Sequence, residues 1–390
     1  MEAADVIKVK ELKRAFGLDE IALVPSELTL DPELVDISTT IAGIKLSVPI
    51  IASAMDSVVN PETAIALTQL GSVGVLNLEG VQTRYEDPDV ILDRISSALK
   101  EEYVPLMQSI YQEQEIKNDL VIQRIQEIKK GGGKAIVSST PQKAAFLGPV
   151  AAKAGADVFL VQSTVVSTQF KSLNGQKNLD LSEFCKGMPI PVMVGNATTT
   201  EVIVNLMKTG VKAIFIGIGP GAACTTRGVL AIGVPMATAI LNGVKARSIH
   251  YANTGEYIPI IADGGIVNSG DICKALACGA DAVMIGSPLA KSDEAPGKGF
   301  HWGMATPNAI LPRGSRIQVG RIGSLKEILH GPASTDDGSQ NFSGAIRLAM
   351  ATLGVASIQE MHEVDIVIAP SLMTEGKIYQ RAQQLGMYKK

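Results

Sequence analysis

Eight short apolar segments recur along the chain, and each is followed by a stretch long enough for a helix. The segments are residues 48–55, 71–78, 133–140, 156–164, 190–196, 211–219, 257–265 and 280–287. Continuous apolar runs of this kind are typical of strands that are buried on both faces, as in a parallel sheet covered by helices. Eight such units predict an α/β fold, a closed (β/α)8 TIM barrel, in which catalytic groups lie where the strands end and the loops begin.

The same pattern indicates how the chain is organised. We expect a single barrel domain over residues 1–390. The interval 84–130, between the second and third segments, is unusually long and carries apolar residues at helical spacing, which predicts a short helical insertion. After the eighth segment, residues 288–316 are rich in Pro, Gly, Lys and Arg, and they make up most of a predicted flap over about 291–320. So long a loop on the catalytic face predicts a flap, followed by a C-terminal tail.

Composition narrows the classes of protein to consider. The hydrophobic fraction of 46% is enough for a large core, and the net charge of −4 gives no electrostatic support for nucleic-acid binding. The four cysteines (Cys185, Cys224, Cys273 and Cys278) show neither zinc nor disulfide spacing, which favours a reducing compartment. Because there is no signal peptide and no apolar run of about 18 residues, we expect a soluble cytoplasmic protein that binds neither nucleic acid nor membranes.

The most informative segment is IGIGPGAACTTRG, residues 216–228, which follows the sixth predicted strand. Its glycines allow positive φ angles and a close approach of the backbone to a ligand. Cys224 in such a loop is expected to face the mouth of the barrel, where a thiolate can act as a nucleophile. The alternative, a buried cysteine that acts as a small hydrophobe, is favoured for the other three cysteines.

Two glycine turns close the last two predicted strands, IADGGI at 261–266 and IGS at 285–287. Loops at these positions of a barrel are the usual phosphate site, because backbone N–H groups face the anion there. Asp263 would repel a phosphate and is better suited to accept the hydroxyls of a ribose. The alternative is that these glycines only turn the chain tightly. Asn196, at the end of the fifth segment, adds an amide that could contact a ligand.

These segments together resemble the IMP dehydrogenase and GMP reductase family. The resemblance rests on SVPIIASAMDSV (47–58), GIGPGAACTTRGV (217–229), IADGGI and the flap motif HWGM (301–304), which keep the family's order and spacing. It covers most of the chain. The resemblance implies a TIM barrel that binds a purine mononucleotide (IMP, XMP or GMP) and assembles as a homotetramer, in some members as an octamer.

The resemblance also implies roles for individual positions. Cys224 would add to C2 of the purine base, with help from Thr226. The phosphate and the ribose would be held by Asp263, Gly265, Gly286 and Ser287. The rest of the nucleotide pocket would be formed by Ser53, Met55, Gly303 and Met304. The residues facing the cofactor, NAD, would be Ser163, Thr164, Asn196 and Gly217. A potassium ion, which family members often bind, would be held by the backbone carbonyls of Gly219, Gly221 and Cys224.

The chain departs from the family at several positions. The insertion stands where typical dehydrogenases carry a regulatory module of paired cystathionine-β-synthase-type repeats. Gln162 replaces an aspartate, and Ala222 replaces a serine that binds the phosphate. The flap lacks the Arg-Tyr pair with which dehydrogenases activate water, and Pro307 occupies the neighbourhood of the catalytic glutamate of the reductases. Arg313 stands where dehydrogenases commonly carry Glu or Gln, and we predict that it polarises water.

The leading interpretation is an NAD-dependent IMP dehydrogenase, which oxidises IMP to XMP through a covalent Cys224 adduct and then hydrolyses that adduct. The alternative is an NADPH-dependent GMP reductase, favoured by the short flap and the missing module. A third possibility is a purine-nucleotide-binding paralogue with weak catalysis. His301 and Trp302 precede the Gly-Met pair of the flap. They are interpreted as residues that stack on a ligand ring or, for Trp302 in particular, as an anchor that packs the flap on the barrel rim.

Overall fold

Eight parallel strands close into a barrel in a computed structural model that describes residues 11–169, 179–371 and 374–388. The strands are β1 (Ile50–Ala52), β2 (Val73–Asn77), β3 (Ile136–Ser139), β4 (Val158–Gln162), β5 (Val192–Ala197), β6 (Ile214–Ile216), β7 (Ile260–Asp263) and β8 (Ala282–Ile285). Each strand pairs with the next, and β8 closes on β1 with Val283 opposite Ile50. The predicted (β/α)8 barrel is confirmed, since every strand falls in one of the eight apolar segments and only β5 runs one residue beyond its segment.

Helices surround this barrel and fill most of the connections. They are α1 (Pro61–Gln69), α2 (Pro88–Ser97), α3 (Tyr103–Glu113), α4 (Asn118–Lys130), α5 (Pro141–Ala154), α6 (Leu181–Gly187), α7 (Thr200–Met207), α8 (Thr226–Leu230), α9 (Met236–Thr254), α10 (Ser269–Ala277), α11 (Ser287–Ala290), α12 (Leu325–His330), α13 (Phe342–Leu353), α14 (Ile358–Met361) and α15 (Ile378–Gln383). Short 3-10 helices cover Leu18–Glu20, Pro32–Leu34, Val81–Thr83 and Gly386–Tyr388. Among the described residues, no helix is long and apolar enough to cross a membrane.

Three antiparallel pairs of very short strands lie outside the barrel. They join Thr39–Ile41 with Ile44–Leu46, Ile21–Leu23 with Ile366–Ile368, and Phe300–His301 with Ile317–Gln318. The first pair comes just before β1, and its Ile41 and Leu46 pack with the side chains inside the barrel. The third pair is the base of a hairpin that carries the flap.

The barrel strands are apolar throughout because both of their faces are buried. In β1, Ile51 points inward to a cluster with Val75 and Phe215, whereas Ile50 and Ala52 pack outward against the helices. Alternate side chains along a strand point to opposite faces, so only uninterrupted apolar runs can satisfy both sides. The polar residues that end the strands are therefore left at one rim of the barrel, where the site lies.

The 84–130 segment contains the three helices α2, α3 and α4. Helix α4 packs beside α5 and α1 as one of the helices around the barrel. Helices α2 and α3 instead form a separate apolar cluster with the flap. The predicted helical insertion thus includes two helices that belong to the flap side of the molecule.

Candidate active site

The loop after β6 presents a cysteine thiol to a cavity. Gly217 has φ +144°, and a Cβ there would lie 2.2 Å from the carbonyl oxygen of Asp263, so glycine is required where the loops after β6 and β7 meet. Four residues later the chain turns, and the amide of Cys224 donates to the carbonyl of Gly221 at 3.0 Å. Cys224 is partly exposed, and its Sγ lies 3.2 Å from Oγ1 of the fully buried Thr226. The buried Thr226 hydroxyl thus contacts the thiol on the protein side, and the partly exposed Cys224 faces the cavity on the other.

This cavity has a volume of about 700 Å³ and lies at the carboxyl ends of the barrel strands. Its size falls within the range of about 300–1,000 Å³ that is usual for ligand sites. Every residue that the sequence predicted for the site lines it, except Thr226. These residues are Ser53, Met55, Ser163, Thr164, Asn196, Gly217, Gly219, Gly221, Cys224, Asp263, Gly265, Gly286, Ser287, Gly303, Met304 and Arg313.

A carboxylate held by two amides lies at the centre of the strand ends. Oδ2 of Asp263 accepts hydrogen bonds from Nδ2 of Asn196 at 2.7 Å and from Nε2 of Gln162 at 3.0 Å. Nε2 of Gln162 also donates to Oδ1 of Asn196 at 3.1 Å. Burial raises the pKa of Asp263 to about 6, while the two amide donors act in the opposite direction. Because both amides bind Oδ2, Oδ1 remains as the acceptor that can turn to a ligand.

The glycine turns after β7 and β8 lie on the same cavity. Gly265 has φ +73°, and a Cβ there would come within 2.9 Å of Pro220 in the cysteine loop. A Cβ on Gly286 would lie 3.0 Å from the His301 ring and 3.3 Å from Sδ of Met55. A side chain at Gly265 would clash with Pro220, and one at Gly286 would crowd the His301 ring, so glycine suits both of these tight turns.

His301 presents the edge of its ring to the site. It is 2% exposed, its Nδ1 lies 3.1 Å from Oγ of Ser57, and its other edge faces Gly286. Burial lowers the pKa of His301 to about 4, so the imidazole is neutral at physiological pH. So small an exposed fraction favours packing of His301 in the rim over stacking on a ligand ring. Trp302 is fully buried, as expected of an anchor, but it packs mainly with residues of α2 and α3 and not on the barrel rim.

The flap runs back along the cysteine loop. The amide of Thr225 donates to the carbonyl of Arg313 at 3.1 Å, and the amide of Ser315 donates to the carbonyl of Ala223 at 2.8 Å. These backbone bonds flank Cys224 on both sides. The Arg313 side chain lines the cavity in this arrangement, whereas Pro307 is buried and offers no titratable group.

Other residues lining the cavity were not predicted as site residues. They are Glu79, Ser138, Ser139, Thr140, Gln142, Gln162 and Asn308, among others. Several of them end β2, β3 and β4, so the rule that barrel sites lie at strand ends could have found them. Oε1 of Glu79 accepts the amide of Thr140 at 2.6 Å, which joins the ends of β2 and β3.

A second cavity, of about 780 Å³, adjoins the first through Pro220, Gly265 and Val267. Its walls include Asp271 and Lys274, whose ammonium donates to the carbonyl of Leu18. No cysteine of the described chain lines it. We therefore place the chemistry in the first cavity, which holds the thiol, the buried carboxyl and the glycine turns together.

Known proteins resemble this chain over most of its length. Residues 15–377 match the model of the IMP dehydrogenase / GMP reductase domain. An uncharacterised oxidoreductase of Mycobacterium leprae is 35% identical, over 92% of this chain and 97% of the relative. Inosine-5'-monophosphate dehydrogenase of Cryptosporidium parvum is 31% identical, over 90% of this chain and 91% of that enzyme.

A solved structure agrees with both the fold and the family. It is the crystal structure of an IMP dehydrogenase/GMP reductase-like protein from Corynebacterium glutamicum, with 32% identity and a TM-score of 0.87. The likeness covers 93% of this chain and 96% of that one. With the thiol, the carboxyl and the glycine turns grouped at the barrel rim, the chain belongs to the IMP dehydrogenase/GMP reductase family of oxidoreductases.

Proposed function

We propose that this protein is an NAD-dependent IMP dehydrogenase that converts IMP to XMP. The observation that carries the proposal is the position of Cys224, whose Sγ faces a ligand-sized cavity and touches the Thr226 hydroxyl at 3.2 Å. A thiolate is the nucleophile that covalent attack on a purine carbon requires. The same cavity supplies a carboxyl group for a ribose and glycine turns for a phosphate.

The proposed reaction has two chemical stages. The Cys224 thiolate adds to C2 of IMP, forming an S–C2 bond, and the hydrogen on C2 then leaves with its electron pair as hydride. Water next attacks C2, the S–C2 bond breaks, and XMP and the free thiol result, with one proton released. The hydroxyl of Thr226, whose oxygen lies 3.2 Å from Sγ, would turn to donate to the thiolate before attack and after release.

The nucleotide would lie along the strand ends. We assign its phosphate to Gly265, Gly286 and the hydroxyl of Ser287, and its ribose hydroxyls to Oδ1 of Asp263. Ser53, Met55, Gly303 and Met304 would enclose the rest of the nucleotide. All of these residues line the cavity.

NAD, when bound, would accept the hydride from C2. We assign it to the side of the cavity formed by the ends of β4 to β6, where Ser163, Thr164, Asn196 and Gly217 lie. These hydroxyls, the amide and the open backbone suit the carboxamide of a nicotinamide, which needs both donors and acceptors. The protein's part is to align the ring with C2 and to keep water out during the transfer.

Arg313 is the candidate for orienting the hydrolytic water. It lines the cavity next to the cysteine loop, and its backbone is fixed by hydrogen bonds to Ala305 and Thr225. A guanidinium is always charged at neutral pH, so it would orient a water by donating to its oxygen and would stabilise developing negative charge.

We also propose a potassium ion at the loop that carries Cys224. The carbonyls of Gly219, Gly221 and Cys224 would hold it, and neutral oxygens of this kind suit a monovalent cation. The carbonyl of Gly221 already accepts the amide of Cys224 at 3.0 Å, so it would offer only its second lone pair. We further propose a cytoplasmic homotetramer, by analogy with the family.

The direct test gives purified protein IMP with NAD+ and follows NADH absorbance, and in parallel gives GMP with NADPH and follows its loss. The proposal expects NADH formation that Cys224→Ala abolishes while binding of IMP persists. NADPH consumption with GMP, and silence with IMP, would assign the protein as a GMP reductase. The short flap without an Arg-Tyr pair is the observation that favours that second function. Nucleotide binding without turnover in either direction would indicate the binding paralogue.

A further inference from the structure

Helices α2 and α3 pack against the flap. Trp302, the chain's single tryptophan, is fully buried in a cluster with residues of both helices. We call this cluster the flap anchor, and it consists of Val81, Ile91, Leu92, Ile95, Met107, Ile110, Tyr111 and Trp302. Burial of a whole indole removes a large apolar surface from water, so this contact disfavours lifting of the flap.

A buried hydrogen-bond chain runs through the flap anchor. The hydroxyl of Tyr111, on α3, donates to Oδ2 of Asp56 at 2.5 Å. Nε1 of Trp302 donates to the same hydroxyl at 3.4 Å. Asp56 lies just beyond β1 and also accepts the amide of Val81 at 2.9 Å. The Tyr111 hydroxyl therefore connects the rim of the barrel, the insertion and the flap at one point.

A second set of contacts fixes the far end of the flap. Arg316 donates to the carbonyls of Ile95, Ser96 and Ala98, at 2.6, 2.8 and 2.6 Å, at the carboxyl end of α2. Such carbonyls have no partner within their own helix, and a guanidinium satisfies several at once. The Arg316 guanidinium also lies 4.5 Å from the ring centre of Phe300.

The residues between these two attachments are those that reach the cavity. Gly303, Met304 and Arg313 line it, and they follow Trp302 and precede Arg316 in the chain. On this stretch Nε2 of Gln108, from α3, donates to the carbonyl of Asn308 at 3.3 Å. This stretch of the flap is therefore attached to α2 and α3 at Trp302, at Asn308 and at Arg316, and the two helices set its geometry. Displacement of such groups by about 1 Å can cost about a hundredfold in rate.

We propose that Tyr111 is a positioning residue, through which α2 and α3 hold the flap over the cavity and set the affinity for the nucleotide. Tyr111 does not line the cavity, so it acts there through the two groups that it binds, Trp302 of the flap and Asp56 of the loop after β1. The inference rests on the proposed function for the identity of the ligand. The attachment of the flap itself can be measured without any ligand.

The test compares Tyr111→Phe with Tyr103→Phe. Both remove one hydroxyl from α3, but the Tyr103 hydroxyl makes no hydrogen bond to any described residue, and its ring stays 5.2 Å from the Arg316 guanidinium. Trp302 emission and its quenching by acrylamide report the flap directly, because no other tryptophan contributes. We expect a red-shifted, more quenchable emission in Tyr111→Phe and a KM for the nucleotide raised about tenfold, with a smaller change in kcat. Tyr103→Phe should match the wild type in both.

Wild-type emission and wild-type KM in a folded Tyr111→Phe protein would overturn the proposal. Because loss of the Tyr111 hydroxyl leaves a buried carboxyl with one partner fewer, that variant is also expected to be less stable. Gln108→Ala covers the case in which Tyr111→Phe fails to fold, since it removes only an exposed hydrogen bond made by the same helix. Gln108→Ala should raise the rate of hydrogen exchange in residues 303–313 and raise KM for the nucleotide about two- to threefold. Unchanged values of both would refute the proposal that α3 holds the flap.

If the wild type binds neither IMP nor GMP, the proposed function fails. The fluorescence comparison would still decide whether α3 holds the flap, so the two failures are distinguishable.

Discussion

Removing the Gln162 amide should shift the pH dependence of nucleotide binding. Gln162 donates to Oδ2 of Asp263 at 3.0 Å, and Asn196 is the other donor to that oxygen. Gln162→Leu removes one hydrogen bond to the charged form of the carboxyl group and leaves the other in place. Since such a bond favours the carboxylate over the carboxylic acid, its loss must raise the pKa of Asp263 further.

The size of the effect follows from the bond and from the starting value. A hydrogen bond to a charged group contributes about 1.5–3 kcal/mol, and one pKa unit corresponds to about 1.4 kcal/mol, so the shift is at least about one unit. The pKa of Asp263 is about 6 in the wild type, and the variant should therefore titrate near pH 7 or above. If only the carboxylate accepts the ribose hydroxyls, the ratio of variant to wild-type Kd rises from about 1 at pH 8.5 to about 2 at pH 7 and about 9 at pH 5.

The assay is calorimetric titration of IMP into each protein between pH 5 and pH 8.5, without cofactor. The phosphate of IMP itself titrates near pH 6, but this contribution is the same for both proteins and cancels in the ratio. Gln142→Leu is the matched control, because Gln142 lines the same cavity but, unlike Gln162 and Asn196, does not hydrogen-bond to Asp263. A ratio that stays constant across this pH range would refute the link between Gln162, the charge of Asp263 and ribose binding.

Three further predictions concern the buried charges and the flap. Asp263→Asn should stabilise the protein by at most about 3 kcal/mol at pH 7.5, because the raised pKa of about 6 means that ionisation of Asp263 is unfavourable in the folded state. This gain, measured as a rise in Tm, should vanish towards pH 4, whereas the affinity for the nucleotide should be lost at every pH. Asp281→Ala should destabilise by about 3–5 kcal/mol, since it leaves Arg247 buried without its 2.8 Å partner, and an unchanged Tm would contradict this. Arg313→Ala should lower steady-state kcat about a hundredfold yet keep a rapid burst of NADH, and a lost burst would show that Arg313 acts before hydrolysis instead.

The barrel strands could be predicted because their signal is local. Each is apolar on both faces, and none depends on a distant residue for its identity as a strand. The flap hairpin could not be predicted, because Phe300–His301 and Ile317–Gln318 are two residues each and pair only through the fold. Two residues show no periodicity that distinguishes a strand from a loop.

The site residues likewise divide into those with a local signal in the sequence and those that depend on distant contacts. Cys224 and the glycine turns stand out by spacing and composition, and the sequence placed them on one cavity correctly. The role of Gln162 depends on a contact with Asp263, 101 positions away, so sequence reasoning noticed the residue only as a departure from the family. Tyr111 gave no signal at all, since an aromatic residue on an amphipathic helix normally indicates only a buried face.

The pairing of Ile21–Leu23 with Ile366–Ile368 joins an early and a late segment of the described chain, with Ile21 opposite Ile368. A circularly permuted version could therefore use a short linker from Ile368 to Ile21, in place of the segments outside this pair, and open the chain at an exposed loop elsewhere. Conversely, a truncation before Ile366 would strip the first strand of its neighbour and uncover the buried Ile21, so shortened versions should aggregate even though every residue of the barrel is retained.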